Sequence, residues 1–417
     1  MAWAIGAIAI AACAGVVVRP FAWPEYIWAV VAALLLVVLR LLPLGDALIG
    51  IAKGTDVYLF LTGMMLLAEL ARHEGLFDWL AAQAARHADG SATRLFTLIF
   101  LVGTVVTIFL SNDATAVVLT PAVAAVVKTG EAAEPLPYLF ICAFIANAAS
   151  FVLPISNPAN LVLYSSRMPP LLQWLSLYEL PSLASILATY IILRWTQRKS
   201  LQHRIASDGE APELSRGGKF AAIGIAGTAA VLAICSAFDL QLGLPTFIAG
   251  VVTVMMILPT SKQSLRVMLT DIQWNVLPLV AGLFVLVEGI EKTGATTWCA
   301  AMLHHLMMRS AMLASWASGI GLALICNLTN NLPAGLIAPH ILDIAKVSER
   351  FRAVALIAVD LGPNLSVTGS LATILWLTAL RRDGQKMDAW TFLKLGALVM
   401  PPALIASLAA ALFLGPR

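Results

Sequence analysis

A chain of 417 residues with 60% hydrophobic and only 12% charged residues lies far from soluble domains, where about 25% are charged. That excludes a water-soluble enzyme or binding module and indicates an integral membrane protein. The net charge of +3 gives no basis for a nucleic-acid partner, because the cations lie in short loops and form no single patch.

The apolar runs approach the roughly 20 residues a helix needs to cross a bilayer, whereas barrel strands are shorter and alternate with period two. The bundle is therefore all-α and polytopic. Residues 2–18 lack a basic leader or a convincing cleavage site and read as a retained first span. Spans 26–42 and 55–71 follow. Residues 76–88 are too short and polar to cross; Leu76, Trp79, Leu80 and Ala84 share one stripe, which predicts an interfacial helix. The block 93–128 enters and returns, interrupted at "SNDAT" (111–115), and 137–166 crosses once, interrupted at "PISNPAN" (154–160). A span at 173–195 ends this half. The longest polar stretch, 196–218, is a linker. The same scheme then recurs: spans 219–237, 241–258 and 276–291, an amphipathic 295–308, an entering block 311–346 broken at "NLTNNLPAG" (327–335), a crossing block 352–380 broken at "DLGPNLSVTGS" (360–370), and a last span 391–414.

The recurrence can be counted. Gly63, Glu69, Gly75, Trp79 and Asn112 match Gly282, Glu288, Gly294, Trp298 and Asn331 at one offset of 219, and beyond a shorter loop the offset becomes 213. Chance is a poor explanation for matches of this kind, and a duplicated unit is a better one. Residues 1–195 and 219–417 are thus two repeats. Each contains an odd number of crossings, because an entering and returning block contributes evenly, so the repeats come out inverted, as in many secondary transporters. Arg194, Arg198, Lys199, Arg204, Arg216 and Lys219 crowd the linker against Asp208, Glu210 and Glu213. The positive-inside rule places it in the cytoplasm, with Lys262, Arg266, Arg381 and Arg382 on the same side and both termini outside.

Paired breaks in inverted repeats are the best sequence pointer to a transport site near the midplane. Pro154, Pro158, Pro333 and Pro363 leave backbone carbonyls unpaired there, which lipid does not tolerate but protein or a water-filled cavity does. Asn112, Thr115, Ser156, Asn157, Asn160, Asn330, Asn331, Asn364, Ser366, Thr368 and Ser370 supply neutral donors and acceptors that could hold a small polyhydroxy solute; taken singly, any of them is equally a helix cap. Asp113 and Asp360 lie at breaks, one per half, and are the candidates for proton carriage. Glu69 and Glu288 sit near span ends, where Arg72 and Lys292 could meet them, and read as structural. His73, His87, His304 and His305 have no second ligand at metal spacing, so no metal site is expected. Five lone cysteines form no pairing pattern and read as small buried hydrophobes.

"SNDATAVVLTP", "FIANAAS" with "SNPANLV", "TNNLP" and "DLGPNLSVTGSLATILW" resemble the arsenite efflux permeases (ArsB family) of the ion-transporter superfamily, over about residues 45–414. The resemblance implies ten membrane-crossing helices plus two opposed re-entrant hairpins in a bacterial inner membrane. It also implies export of arsenite and antimonite from the cytoplasm by an antiporter driven by proton influx, with an optional partner ATPase (ArsA) and no cofactor beyond the proton motive force. The family usually carries an acid in the motif here written "FIANAAS", where this chain has Asn147, aligned with Asp360.

Arsenite near neutral pH is largely an uncharged trihydroxide, so its site needs amides and backbone dipoles and no cationic clamp. None of the four breaks carries Lys or Arg. Arsenic is thiophilic, which draws attention to Cys142 and Cys326, although lone thiols make no three-coordinate cage. The alternatives keep the fold and change the cargo or the drive: a sodium/proton antiporter or sodium-coupled anion symporter, a passive channel, or the membrane subunit of an ATP-driven pump. No GxxxxGK[ST] motif occurs, so an ATPase would be a separate chain.

Overall fold

The computed structural model describes residues 1–130, 134–164, 168–203, 205, 213–261, 264–385 and 387–415, and all regular structure among them is helical. Arg204, Asp208, Glu210 and Lys262 of the charge argument lie outside these residues. Helices α1 (Ala2–Val18), α2 (Glu25–Val38), α3 (Leu44–Lys53), α4 (Thr55–His73) and α5 (Leu76–His87) lead to α6 (Ala92–Phe109). After a tight break come α7 (Asn112–Ala114), a π-helical stretch at Thr115–Leu119, and α8 (Thr120–Thr129). Helices α9 (Leu136–Ala148), α10 (Pro158–Leu163) and α11 (Leu171–Thr196) follow. The second half holds α12 (Arg216–Ala237), α13 (Gly243–Ile257), α14 (Leu265–Asp271), α15 (Val276–Glu291), α16 (Ala295–Arg309), α17 (Ala311–Thr329), α18 (Asn331–Ile344), α19 (Glu349–Leu361), α20 (Leu371–Arg382) and α21 (Ala389–Ala409).

By length and apolarity α6, α11, α12, α17 and α21 can cross a membrane, and the bent pairs α3–α4 (46°) and α14–α15 (42°) can each do so as a unit. The expected simple spans at 55–71 and 276–291 are thus the longer arms of kinked elements. Helix starts recur at the spacings found in the sequence: Leu76 and Ala295, Ala92 and Ala311, and Asn112 and Asn331 lie 219 apart, while Leu136 and Glu349, and Pro158 and Leu371, lie 213 apart.

Two glycines at the spacing of 219 explain how these helices pack. A Cβ on Gly63 of α4 would lie 2.6 Å from the Thr246 carbonyl carbon of α13, and one on Gly282 of α15 would lie 2.7 Å from the Ala29 carbonyl carbon of α2. Only a hydrogen at these positions lets the backbones touch, which is how apolar helices associate in lipid. At the centre, Pro137 through Ala148 of α9 and Ala353 through Leu361 of α19 are buried on every side. A helix apolar all round belongs in such a place.

Two expectations are corrected. Glu288 is bound at 2.7 Å by Lys53 of α3, and Lys292 turns instead to Asp46; Glu69 does meet Arg72. The predicted interfacial stripe of α5 is shifted, with Leu76, Phe77, Ala81 and Ala84 buried against protein, while α16 leaves Trp298 68% exposed.

Candidate functional site

The tips of the two entering blocks are built alike. After α6 the chain turns at Leu110 and Ser111, and the Ser111 hydroxyl caps the next helix by accepting from the Ala114 N–H at 3.1 Å. Asn330, its counterpart at the repeat spacing, adopts φ 73°, accepts from the Leu332 N–H at 3.2 Å and donates to the Thr368 carbonyl at 3.3 Å. Asn331 N–H donates to the Gly369 carbonyl at 2.8 Å, which sews this tip to the break before α20. Two helix N-termini therefore start at Asn112 and Asn331, and the N–H groups of Asp113, Ala114, Asn331 and Leu332 are already taken by capping acceptors.

Asn112, Asp113, Asn157 and Asn331 share one small void of about 20 Å³ with Pro158 and Leu332, room for about one water molecule. A cavity of about 480 Å³ reaches down to it and shares Leu61, Asp113, Pro158 and Val276 with its wall. Its walls are apolar at Met64, Met65 and Val117 and charged at Glu69, Arg72, Asp271 and Arg382. A second cavity of about 450 Å³, lined by Lys53, Asp56, Leu161, Tyr164 and Asp239, lies at the other end of α4. Between the two large cavities stands the one turn of α10 from Pro158 to Leu161.

The acids divide sharply. Asp113 faces the void and the first cavity, and among the described residues no hydrogen bond reaches its carboxylate. Asp360 is fully buried and accepts from Ser150 Oγ at 2.7 Å and Asn157 Nδ2 at 2.9 Å. The aligned Asn147 reaches the opposite way, donating to Asn364 Oδ1 at 3.0 Å and Thr373 Oγ1 at 3.3 Å. Each crossing helix thus holds the other half's break through a polar side chain. Asn157 belongs to both environments, since it lines the void and binds Asp360.

Of the remaining residues singled out in the sequence, Thr115 bonds Thr107 at 2.8 Å, Ser156 donates to the Ile108 carbonyl at 2.9 Å, and Asn160 donates to the Ser150 carbonyl at 2.9 Å. Asn364 donates to the Phe144 carbonyl at 2.9 Å, Thr368 to the Asn327 carbonyl at 3.1 Å, and Ser370 accepts from the Thr373 N–H at 3.1 Å. These groups and Asn330 satisfy backbone freed by the breaks and line none of the three cavities. Cys142 and Cys326 are fully buried and line none of them either. Sequence reasoning passed over Ser111, Ser150 and Asn327; only Ser111 carried a signal, as the repeat partner of Asn330. The expectation that His73 has no second ligand at metal spacing is corrected: its ring nitrogen and carboxylate oxygens of Glu69 and Asp271 lie within 4.8 Å of one another, and only Asp271 was passed over in the sequence. Arg72 donates to both acids of that group, at 2.6 Å to Asp271, so they are already paired.

A bundle of apolar helices in which two helix starts meet at a small void, with a larger cavity toward either end of α4, is the architecture of a membrane transporter. The family described as CitMHS, citrate transporter, matches residues 16–361, and the chain belongs to it, within the ion-transporter superfamily. It is 26% identical to the arsenical pump membrane protein of Yersinia enterocolitica, over 83% of each chain. To the putative arsenical pump membrane protein of Bacillus subtilis it is 24% identical, over 92% of this chain and 93% of that one. The fold is similar to the YdaH transporter of Alcanivorax borkumensis, with a TM-score of 0.57 at 14% identity over 89% of each chain.

Proposed function

We propose that this protein exports arsenite, and antimonite as its close chemical analogue, from the cytoplasm in exchange for entering protons, by alternating access of two inverted repeats. The observation that carries the reading is the set of side chains on the void: the amides of Asn112, Asn157 and Asn331 and the carboxylate of Asp113, with no Lys or Arg among the described lining residues. Such a shell matches the hydroxyls of a neutral trihydroxide and offers nothing to balance a multiply charged anion. The arsenical pump relatives point to the same cargo. The 480 Å³ cavity shares Arg382 with the side the positive-inside rule assigns to the cytoplasm, so it is the entry path.

Asp113, open to that cavity, exchanges protons with water directly. Asp360 is coupled to the void through Asn157. The shell residues Asn112, Asn157 and Asn331 face the solute, and the other amides and hydroxyls hold the breaks in shape. The test is arsenite accumulation in everted vesicles carrying this chain alone, without nucleotide. An imposed pH gradient should drive it and a sodium gradient should not; sodium dependence without pH dependence defeats the reading. Replacing Asn112 or Asn331 by Ala removes one or two solute hydrogen bonds, about 1–2 kcal/mol, and should raise KM roughly tenfold.

A second reading, a sodium-coupled anion symporter, draws on the family description and on Arg72 and Arg382 in the cavity wall. Arg72 is neutralised by Glu69 and Asp271, which leaves Arg382. Citrate competing with arsenite for uptake would favour this second reading.

A further inference from the structure

At the spacing of 219 that relates the halves, the ends of α4 and α15 are in opposite situations. Glu69 and Arg72, at the end of α4, line the 480 Å³ cavity, and Pro121 of α8 lines it too. The returning arm of the first hairpin therefore stands off from α4, with open space between. The counterparts of Glu69, Arg72 and Pro121 are Glu288, Glu291 and His340. Here the arm has closed: His340 Nδ1 of α18 meets Glu291 Oε1 of α15. Lys53 of α3 joins the group, 2.7 Å from Glu288 and 3.6 Å from Glu291, and itself lines the second cavity. Lys53 and Arg72 bracket α4, whose 19 residues span about 28 Å at 1.5 Å per residue. One hairpin arm is thus free at one end of α4, while its repeat partner is tied down at the other.

We infer that His340, Glu291 and Lys53 form a latch that keeps the void shut toward the second cavity while the first cavity is open, and that its release belongs to the step exposing the void to the far side. The chemistry suits a reversible contact. The His340 and Glu291 side chains keep 33% and 23% of their exposure, so water can take the place of either partner when the arm moves. The pair joins the hairpin to a different element instead of closing within one helix, so breaking it frees the arm. The inference rests on alternating access, as proposed above, but not on the identity of the cargo.

The experiment uses the full chain with its five cysteines replaced by Ala and Leu332, on the void wall, changed to Cys as a reporter. A membrane-impermeant methanethiosulfonate is applied without solute to right-side-out and to everted vesicles. The latched chain labels predominantly from the side of the first cavity. His340→Gln and Glu291→Gln should each raise labelling from the opposite side several-fold, and His340→Lys, which offers Glu291 a cationic donor, should restore the one-sided pattern. In a chain without the reporter, His340→Cys with Glu291→Cys, joined by a short bifunctional thiol reagent, should lose transport and regain it on reduction. Labelling of the Gln variants identical to that of the parent, or undiminished transport by the joined chain, overturns the latch. Because labelling is read without solute, a wrong cargo silences only the transport arm.

Discussion

The carboxylates of half-buried Asp113 and fully buried Asp360 differ most in their partners, and that difference sets what each substitution does. Asp113 has no hydrogen-bonded partner to strand, so Asp113→Ala should leave the melting temperature in detergent nearly unchanged, within the ±0.5 kcal/mol typical of a site away from packed or paired groups, while removing proton-driven accumulation. Asp360→Ala strands Asn157 Nδ2, while Ser150 Oγ keeps its bond to the Asn147 carbonyl. The stranded amide costs about 1–3 kcal/mol, so this variant should melt several degrees lower, with Asp360→Asn intermediate. Equal melting shifts for Asp113→Ala and Asp360→Ala would contradict the assignment. That Asn112, Asn157 and Asn331 lie at breaks in apolar runs was legible in the sequence, but not that these three, out of the longer set of polar residues there, are the ones on the void, since each is equally a helix cap. That Thr115 turns to Thr107 was not legible, since either rotamer keeps a threonine hydroxyl paired and only the packed structure selects one.

At the scale of the element, the hairpin tips and the glycine crossings make distinct demands on sequence. Asn330 sits at φ 73°, the left-handed region that a β-branched residue avoids. Asn330→Gly should keep the turn and cost only roughly a few tenths of a kcal/mol, whereas Asn330→Val loses both turn and cap and should cost about 2–3 kcal/mol more, read as a lower yield of folded protein. Gly63→Leu and Gly282→Leu force α4 from α13 and α15 from α2; each should cost more than about 3 kcal/mol, and a fluorescent fusion should report little folded protein for either. The repeat spacing alone marks both glycines as a matched pair. It does not reveal the partner of Glu288, because Lys292 is near in sequence whereas Lys53 is 235 residues away, and only the packing of α3 on α15 brings Lys53 close.

For the whole molecule, the two glycine crossings have a consequence for how the protein is made. Helix α4 finds its partner α13, and α15 its partner α2, only across the middle of the chain. When a ribosome has delivered α1 through α11 to the membrane, the grooves on α2 and α4 still face lipid or an insertion partner. They stay so for the roughly 10 to 40 s needed to synthesise the remaining half at about 5–20 residues per second. The first half is therefore an assembly intermediate with two vacant docking grooves, and neither half should persist alone. Residues 1–203 and 213–417 expressed separately should each be degraded, and expressed together in one cell they should restore arsenite tolerance; a stable isolated half would show that the crossings are not what holds it. A mutation near Gly63 would then act mainly during biogenesis, through a quality-control protease that finds the unpaired groove, and would present as missing protein instead of as a defective transporter.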